Sequence, residues 1–557
     1  MKANKHLLLW SSLAALAVLI WSAVRENFLS EWRLTQRQIE SRLTAPQAAA
    51  FSIQLRQIVS RETGTTDRCV SCHVGMAPGE SGIEADRLYG RHQDVVHDPA
   101  VFGCTVCHGG QGRATEIADA HGKVPHWPEP MLPKGYLYAG CGGCHTHLSV
   151  PNLVRLEQGK SRFEQADCLA CHKLDGRGGT LRPGGAGGQE GPDLSRVGAG
   201  GFKPDWYAQH LAQKKKASTS PWLSAFGEIA EPERLAIDEF LRSRVGAPGL
   251  LEAKALFHLS GCRGCHKVRG VGGDDGPDLT AAGNRDPGLL NFSQVAGEHT
   301  LANWLKQHFR APASVVAGSA MPELGLTERQ IDQLTFYILS LRRGRFPEAL
   351  WPKDRIRAER FGSREFATDG ATLYGTFCAA CHGLKGEGMR YPGLAAFPAI
   401  ANADFLRLVS DDFLRAQIKR GRPGRRMPAW GEPEGGLRDE EIDRVVTYLR
   451  DLGGVAYAGD AKPRRWAEGD AAAGQRLYAD VCGSCHGGRG EGKEGPALNN
   501  KVFLDLATDS YLFKTIQNGR SGTSMVGFGA GSSVRRTLTD GEIASVIVFI
   551  RTWEGKK

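Results

Sequence analysis

The residues of this chain with the most specific chemistry are cysteine pairs that are followed directly by a histidine. The pattern C-x-x-C-H occurs seven times, and the seven copies use all 14 cysteines of the 557-residue chain. The cysteines are Cys69, Cys72, Cys104, Cys107, Cys141, Cys144, Cys168, Cys171, Cys262, Cys265, Cys378, Cys381, Cys482 and Cys485. The adjacent histidines are His73, His108, His145, His172, His266, His382 and His486. This spacing attaches haem c through two thioethers, and the histidine then binds the iron. The sequence therefore predicts seven covalently bound haem c groups.

Other uses of paired cysteines fit the pattern less well. A single copy could be half of a zinc site or a redox dithiol. A disulfide framework gives no reason for a histidine to follow every second cysteine. Seven copies that leave no cysteine over favour haem attachment at all of them.

The bulk composition indicates a globular, multidomain protein. At 557 residues with 41% hydrophobic residues, the chain is long enough for several domains with cores. Its 70 basic and 61 acidic residues give a formal charge of +9. The propionates of seven haems would more than cancel this charge, and no basic face with interleaved aromatic residues is present. We therefore expect no nucleic-acid partner.

The N-terminus predicts a membrane anchor over residues 1–24. An uncharged run of 18 residues, 7–24, follows Lys2 and Lys5 and would span about 27 Å as a helix. Trp10 and Trp21 lie near its ends, where interfacial aromatic residues belong. A cleaved signal peptide is the alternative, but the only Ala-x-Ala lies inside the apolar run. The basic residues before the span predict a single-pass protein of the cytoplasmic membrane, with the bulk of the chain in the periplasm.

Residues 25–60 are expected to form a helical stalk. The first half is charged and free of helix breakers, and Phe51, Leu55 and Ile58 follow at i, i+4 and i+7.

Residues 61–150 hold three motifs, 35 (69 to 104) and 37 (104 to 141) residues apart. This spacing is too short for one globular domain per haem, so we expect a compact three-haem segment with the haems as much of its core. Additional ligands are available here, namely His92, His97, His121, His126, His147, Met76 and Met131. The preferred sixth ligands are His97 and His121, with either His126 or Met131 for the remaining haem.

Residues 153–557 form an internal repeat with one motif per unit. The predicted units, named fourth to seventh after their motifs, are 153–247, 248–345, 362–454 and 467–557. Each begins with a short helix before the motif, continues with a glycine- and proline-rich loop and ends with a longer helix. The last helices carry an aromatic residue at a matching place, namely Phe240, Tyr337, Tyr448 and Phe549.

The four units resemble class I cytochrome c domains. The resemblance implies all-α domains in which the first and last helices cross, so that the whole chain is mainly α. It also implies a loop methionine as the second axial ligand of the iron, and Met321, Met427 and Met525 occupy the matching positions. The proline of the loop would accept a hydrogen bond from the motif histidine, and the matching prolines are Pro192, Pro277, Pro398 and Pro496.

The fourth unit departs from this pattern. Ser218–Pro221 stand where methionine and proline are expected, and no methionine lies between Cys171 and Cys262. His210, the lysines 214–216, a ligand from another domain or an open position remain alternatives for its iron. The fourth motif would then join the three-haem segment to the later units.

The overall layout resembles multihaem cytochrome c subunits of bacterial quinol-oxidising cytochrome bc-type complexes. Glu31-Trp32-Arg33 and the stretch 102–112 carry this likeness. It implies an electron-transfer subunit with two kinds of partner: cytochrome b-type or other quinol-oxidising membrane subunits, and a soluble or terminal redox acceptor. Two alternatives remain: a peroxidase or small-molecule reductase that uses the fourth haem, and the cytochrome subunit of a membrane dehydrogenase.

Overall fold

The computed structural model describes residues 2–77, 90, 92, 95–179, 191–200, 205, 209, 229–344 and 346–554. Within these ranges the chain is helices and loops, and its strands form two short antiparallel pairs. The strand pairs are Ile58–Val59 with Thr66–Asp67, and Lys173–Leu174 with Arg177–Gly178. The predicted mainly α class is confirmed.

The N-terminal helix runs from Lys2 to Phe28 and is apolar enough to cross a membrane. Its large side chains from Leu7 to Val24 are exposed to the surroundings rather than packed against the rest of the chain. Twenty-seven residues of helix span about 40 Å, which exceeds the hydrocarbon core of a bilayer.

The stalk region is helical only in its first half, over Glu31–Glu40 and Ala45–Ala50. The predicted helix is wrong beyond Phe51, where the chain is extended. The Gln36 side chain accepts a hydrogen bond from the Gln54 backbone N–H and donates one to its carbonyl, at 2.9 and 2.8 Å. These contacts replace helical hydrogen bonds and hold the strand-like segment against the first motif.

The three-haem segment is built from short helices. They are Pro99–Phe102, Thr105–His108 and Ile117–Ala120, with 3₁₀ segments at Cys69–Ser71, Val74–Met76 and Lys134–Gly143. Its described residues form no hydrophobic cluster of their own, and Leu132 and Ala139 belong to the core of the fifth unit. This agrees with a segment whose interior is completed by a cofactor.

The later units share one helical plan. The first and last helices of the fourth unit are Leu153–Gln165 and Glu231–Arg242, and those of the fifth are Leu250–Leu259 and Glu328–Ser340. In the sixth unit they are Gly370–Phe377 and Asp439–Gly453, and in the seventh Ala471–Val481 and Asp540–Arg551. The middle helices are Leu301–Arg310 and Pro312–Val315 in the fifth unit, Ala403–Leu408 and Asp411–Arg420 in the sixth, and Lys501–Leu506 and Asp509–Asn518 in the seventh. Short helices at Cys168–Cys171, Ala379–His382 and Gly483–His486 carry three of the motifs, and Lys353–Phe361 lies between the fifth and sixth units.

The predicted aromatic residue of each last helix packs against an aromatic residue of the first helix where the two helices meet. The ring centroids of Phe257 and Tyr337 are 4.7 Å apart in the fifth unit. The equivalent pairs are Phe163–Phe240 at 5.4 Å, Tyr374–Tyr448 at 5.5 Å and Tyr478–Phe549 at 5.5 Å. A Cβ at Gly474 would overlap the Ser545 carbonyl oxygen, so only glycine permits this close crossing in the seventh unit.

The sixth and seventh units pack together with approximate twofold symmetry. The Asn402 side chain donates to the Ser521 carbonyl at 2.8 Å, and the equivalent Asn500 donates to the Pro423 carbonyl at 3.1 Å. Each asparagine also caps the helix that follows it, at Phe405 and Phe503 respectively.

Two arginines repeat this symmetry. The Arg422 guanidinium lies over the Phe503 ring at 4.9 Å, and the equivalent Arg520 lies over Phe405 at 4.8 Å. Reciprocal contacts of this kind indicate that the two units form one paired body.

The three-haem segment packs directly on the fifth unit. A Cβ at Gly142, inside the third motif, would overlap the Ser340 carbonyl oxygen at the end of a fifth-unit helix. The Tyr136 hydroxyl also donates to Asp332 at 2.9 Å. The third motif is therefore in contact with the later units without the fourth unit between them.

A buried ion cluster joins the fifth and sixth units. The Glu365 carboxylate pairs with Lys254, Arg263 and Arg269, the last at 2.9 Å. The Glu365 carbonyl accepts from the Val150 N–H at 2.7 Å, which ties the end of the three-haem segment to the same place.

Candidate haem-binding sites

The motif histidines of the four later units are held in one common way. In each, ring Nδ1 hydrogen-bonds to the carbonyl oxygen of the predicted proline. The pairs are His172–Pro192 at 2.9 Å, His266–Pro277 at 2.8 Å, His382–Pro398 at 2.9 Å and His486–Pro496 at 2.8 Å. A carbonyl can only accept, so Nδ1 carries the proton and Nε2 keeps its lone pair for a metal.

Glycine packs against three of these rings. A Cβ at Gly191, Gly276 or Gly495 would overlap the ring of His172, His266 or His486. The ring orientation is therefore fixed from two sides, by the proline carbonyl and by the preceding glycine.

Burial favours the neutral, metal-binding form of four motif histidines. It lowers the pKa of His266 and His382, although the proline carbonyl raises the pKa of each. Burial also lowers the pKa of His108 and His145. A neutral imidazole is the ligand form, and none of the 14 cysteines, all among the described residues, is in a disulfide. The residues present therefore fit covalently attached haem.

The predicted methionines lie in matching loops. Met427 accepts a backbone hydrogen bond from Arg422 at 2.8 Å, and Met525 accepts the equivalent one from Arg520 at 2.8 Å. Met321 lies in a different turn, where its N–H donates to Ser319 at 3.3 Å.

The fifth unit has a second potential ligand, His308, on the helix Leu301–Arg310. The His308 ring stacks on Trp304 at 4.7 Å, and its Nδ1 is buried with no hydrogen-bond partner among the described residues. Burial, with nearby His266 and Arg285, lowers the pKa of His308 to about 4. His308 is thus a neutral imidazole near the motif histidine, in the same unit as Met321.

The candidate ligands of the fourth iron within this unit, His210 and the lysines 214–216, lie outside the described residues, as do Ser218–Pro221, which stand where methionine and proline are expected. The described part of this unit includes His172 with its proline contact and the helix crossing.

In the three-haem segment the structure brings two spare histidines to two motif histidines. The ring centroids of His92 and His108 are 6.2 Å apart, and those of His97 and His145 are 6.0 Å apart. His97 was among the preferred ligands in the sequence analysis, whereas His92 was not selected.

The other predicted ligands of this segment lie farther along the chain. His121 directly follows the helix Ile117–Ala120 as its C-cap, and its carbonyl accepts a hydrogen bond from the Met131 N–H at 3.1 Å. His126 is exposed and lies against Gly288 of the fifth unit. His121, His126 and Met131 remain predictions.

Several motifs touch one another. The sulfur atoms of Cys69 and Cys104 are neighbours across the first and second motifs, and those of Cys265 and Cys381 are neighbours across the fifth and sixth. A Cβ at Gly140 would overlap the Cys107 carbonyl, which brings the second and third motifs into contact. The attachment sites are thus arranged as neighbours.

Comparison with known proteins gives two family matches. Residues 250–342 match the family "Cytochrome c", and residues 365–449 and 469–550 match "Cytochrome C oxidase, cbb3-type, subunit III". These ranges fall within the predicted fifth, sixth and seventh units.

The curated relatives are cbb3-type oxidase subunits. A FixP subunit from Bradyrhizobium sp. (strain ORS 278) is 33% identical over 163 residues, 28% of this chain and 51% of the relative. A CcoP subunit from Rhodobacter capsulatus is 30% identical over 198 residues, 33% of this chain and 62% of the relative. The chain spans about half to three fifths of the length of these relatives.

Among solved structures, a thiosulfate dehydrogenase (TsdBA) from Marichromatium purpuratum is 17% identical, with a TM-score of 0.19. The alignment covers 71% of this chain and 90% of the chain in that structure. At this TM-score the alignment does not define a shared domain arrangement.

The fold, the histidine–proline contacts and the family matches support a multihaem c-type cytochrome, whose cytochrome c domains imply covalently bound haem c. Its N-terminal helix fits membrane anchoring. Within this class, its last two domains are similar to those of cbb3-type CcoP and FixP subunits.

Proposed function

We propose that this chain binds seven haem c groups and carries electrons on the periplasmic side of the membrane. The electrons would come from a quinol-oxidising membrane complex and leave to a soluble or terminal acceptor. The observation that carries the proposal is the use of all 14 cysteines in seven C-x-x-C-H motifs. The proline contacts of four motif histidines support it, because they prepare each Nε2 for iron.

Axial ligation is proposed to set the direction of electron flow. His/Met ligation raises the reduction potential of a haem relative to bis-histidine ligation. Met321, Met427 and Met525 would therefore give the last three units higher potentials than a histidine-ligated three-haem segment. Electrons would then enter at the three-haem segment and leave from the sixth and seventh units.

Contacts between motifs support a continuous route through the chain. The closeness of Cys69 to Cys104 and of Cys265 to Cys381 would place the attachment sites of two pairs of haems next to each other. The third motif packs on the fifth unit at Gly142. The residues supply spacing and potential, and the bound haem iron supplies the one-electron chemistry.

The membrane partner is proposed from two likenesses. The stretch 102–112 and Glu31-Trp32-Arg33 resemble subunits of cytochrome bc-type complexes, and the last two units resemble subunits of cbb3-type oxidases. Both are membrane redox complexes. Purification in mild detergent, followed by identification of stoichiometric subunits, would distinguish a quinol-oxidising complex from an oxidase.

The number of haems is tested by the intact mass of the purified full-length chain. We expect a mass increase of seven haem groups, and six in the variant Cys482→Ser/Cys485→Ser. A matched control, Ser484→Ala, keeps the motif cysteines and should retain seven. Fewer than seven haems on the unaltered chain would contradict the proposal.

A further inference from the structure

We propose that His92 and His97 are the sixth ligands of the second and third haems, paired with His108 and His145 respectively. This inference rests on the proposed attachment of haem at those motifs. It assigns a ligand role to His92, and it fixes which iron His97 serves.

The distances between the rings carry the assignment. A metal–imidazole bond is about 2.0 Å long and the ring centroid lies roughly 1.1 Å beyond the bonded nitrogen, so two imidazoles on opposite faces of one iron have centroids about 6 Å apart. The observed separations are 6.2 Å for His92–His108 and 6.0 Å for His97–His145. Among ring contacts between described residues, these are the two in which both rings are histidine.

The local backbone supports the role of His97. Asp98 caps the helix Pro99–Phe102 by accepting from the Ala100 N–H at 2.8 Å, which fixes the chain direction directly after His97. The His97 ring also packs edge-on against Phe102 at 4.9 Å. The helix therefore positions this ring beside the third motif.

The second and third motifs are close enough for one short stretch to serve both. His92 and His97 are five residues apart, so their Cα atoms lie at most about 17 Å from each other. The contact of Gly140 with the Cys107 carbonyl brings the two motifs together in the same region. A single stretch of chain can thus ligate neighbouring irons.

The experiment uses His92→Ala and His97→Ala in the full-length chain, studied by EPR spectroscopy of the oxidised protein. Each variant is expected to convert one low-spin ferric iron to high spin, while the intact mass still shows seven haems. The control His299→Ala should cause no change, because the His299 ring stacks on Phe292, with centroids 4.6 Å apart, and lies outside the motifs. The variants His92→Met and His97→Met should restore a low-spin iron and raise its potential.

The pairing itself is tested in a background without the second haem, Cys104→Ser/Cys107→Ser. There, His97→Ala should still create a high-spin iron, and His92→Ala should not. The unaltered chain offers a second readout if this background does not fold. The ring planes meet at 81° for His92–His108 and at 51° for His97–His145, so the two low-spin signals should differ in g anisotropy, and each single variant should remove one of them.

The outcomes distinguish a failure of the ligand assignment from a failure of the proposed function. Seven haems with an unchanged low-spin spectrum in both single variants would overturn the ligand assignment alone. An intact mass with fewer than seven haems on the unaltered chain would overturn the proposed function instead.

Discussion

At the scale of single residues, the clearest feature is how each later motif histidine is prepared for metal. A proline carbonyl binds Nδ1 at 2.8–2.9 Å in all four later units. This contact fixes the tautomer and strengthens the opposite nitrogen as a ligand. The resemblance to class I cytochrome c domains implied this contact, and the repeated loop after each motif supplied the matching proline.

A second feature at this scale is Glu365, which is 7% exposed and surrounded by cations. Burial raises its pKa, but Lys254, Arg263 and Arg269 outweigh burial and bring the pKa of Glu365 well below its ordinary value. Because the folded pKa is depressed, the cluster stabilises the fold above pH 4.5, and this stabilisation is lost as the pH falls through the folded value.

The variant Glu365→Gln should therefore destabilise the junction between the fifth and sixth units. It leaves the buried Lys254 and Arg263 and the partly exposed Arg269 without a carboxylate, and breaking a buried ion pair costs about 3–5 kcal/mol. Chemical denaturation at neutral pH measures the loss. The control Glu359→Gln changes a carboxylate that is 48% exposed and should cost less than about 1 kcal/mol. Equal effects of the two variants would contradict the role of the cluster.

At the scale of elements, the helices that repeat between units could be predicted from the sequence. The conformation of a segment that depends on a single long-range contact could not. The first and last helices and the aromatic residue of each last helix were predictable because four units repeat them, and the resemblance to cytochrome c domains implied that the helices cross. The extended segment after Phe51 was not, because Gln36 and Ser71 bind its backbone from elsewhere in the chain. His92 was missed for the same reason, since only the fold brings it to His108.

The contact between the fifth and sixth motifs also belongs to this scale. Arg426, next to Met427, donates to Asp275 at 2.6 Å and to the Ala320 carbonyl at 3.3 Å. It therefore ties a loop of the sixth unit to two loops of the fifth. The neighbouring Arg425 instead reaches Asn499 of the seventh unit at 3.1 Å.

Arg426→Ala is expected to loosen the contact between Cys265 and Cys381 by removing an ion pair worth about 1–2 kcal/mol. The magnetic interaction between the fifth and sixth ferric irons should weaken, as measured by EPR relaxation. Arg426→Lys should restore it in part, and Arg425→Ala should leave it unchanged. If Arg425→Ala weakens the interaction as much as Arg426→Ala does, Arg426 does not hold this contact.

At the scale of the whole molecule, the chain combines a histidine-rich segment near the membrane helix with three methionine-bearing units. The sequence alone predicted this division and the fold class. It did not predict the direct packing of the third motif on the fifth unit at Gly142 and Tyr136, because such a contact depends on complementary surfaces of separate units. With that contact, the proposed electron route would pass directly from the third motif to the fifth unit, and the fourth motif would not be the link between the two groups that the sequence suggested.

The most direct test of the account is a coulometric redox titration of the purified full-length chain, with EPR followed at each potential. We predict seven electrons per chain. The signals of the His/Met irons should disappear at the highest potentials, and the two bis-histidine signals should disappear last. Uptake of fewer than seven electrons, or reduction of the bis-histidine irons before the His/Met irons, would contradict the proposed direction of electron flow.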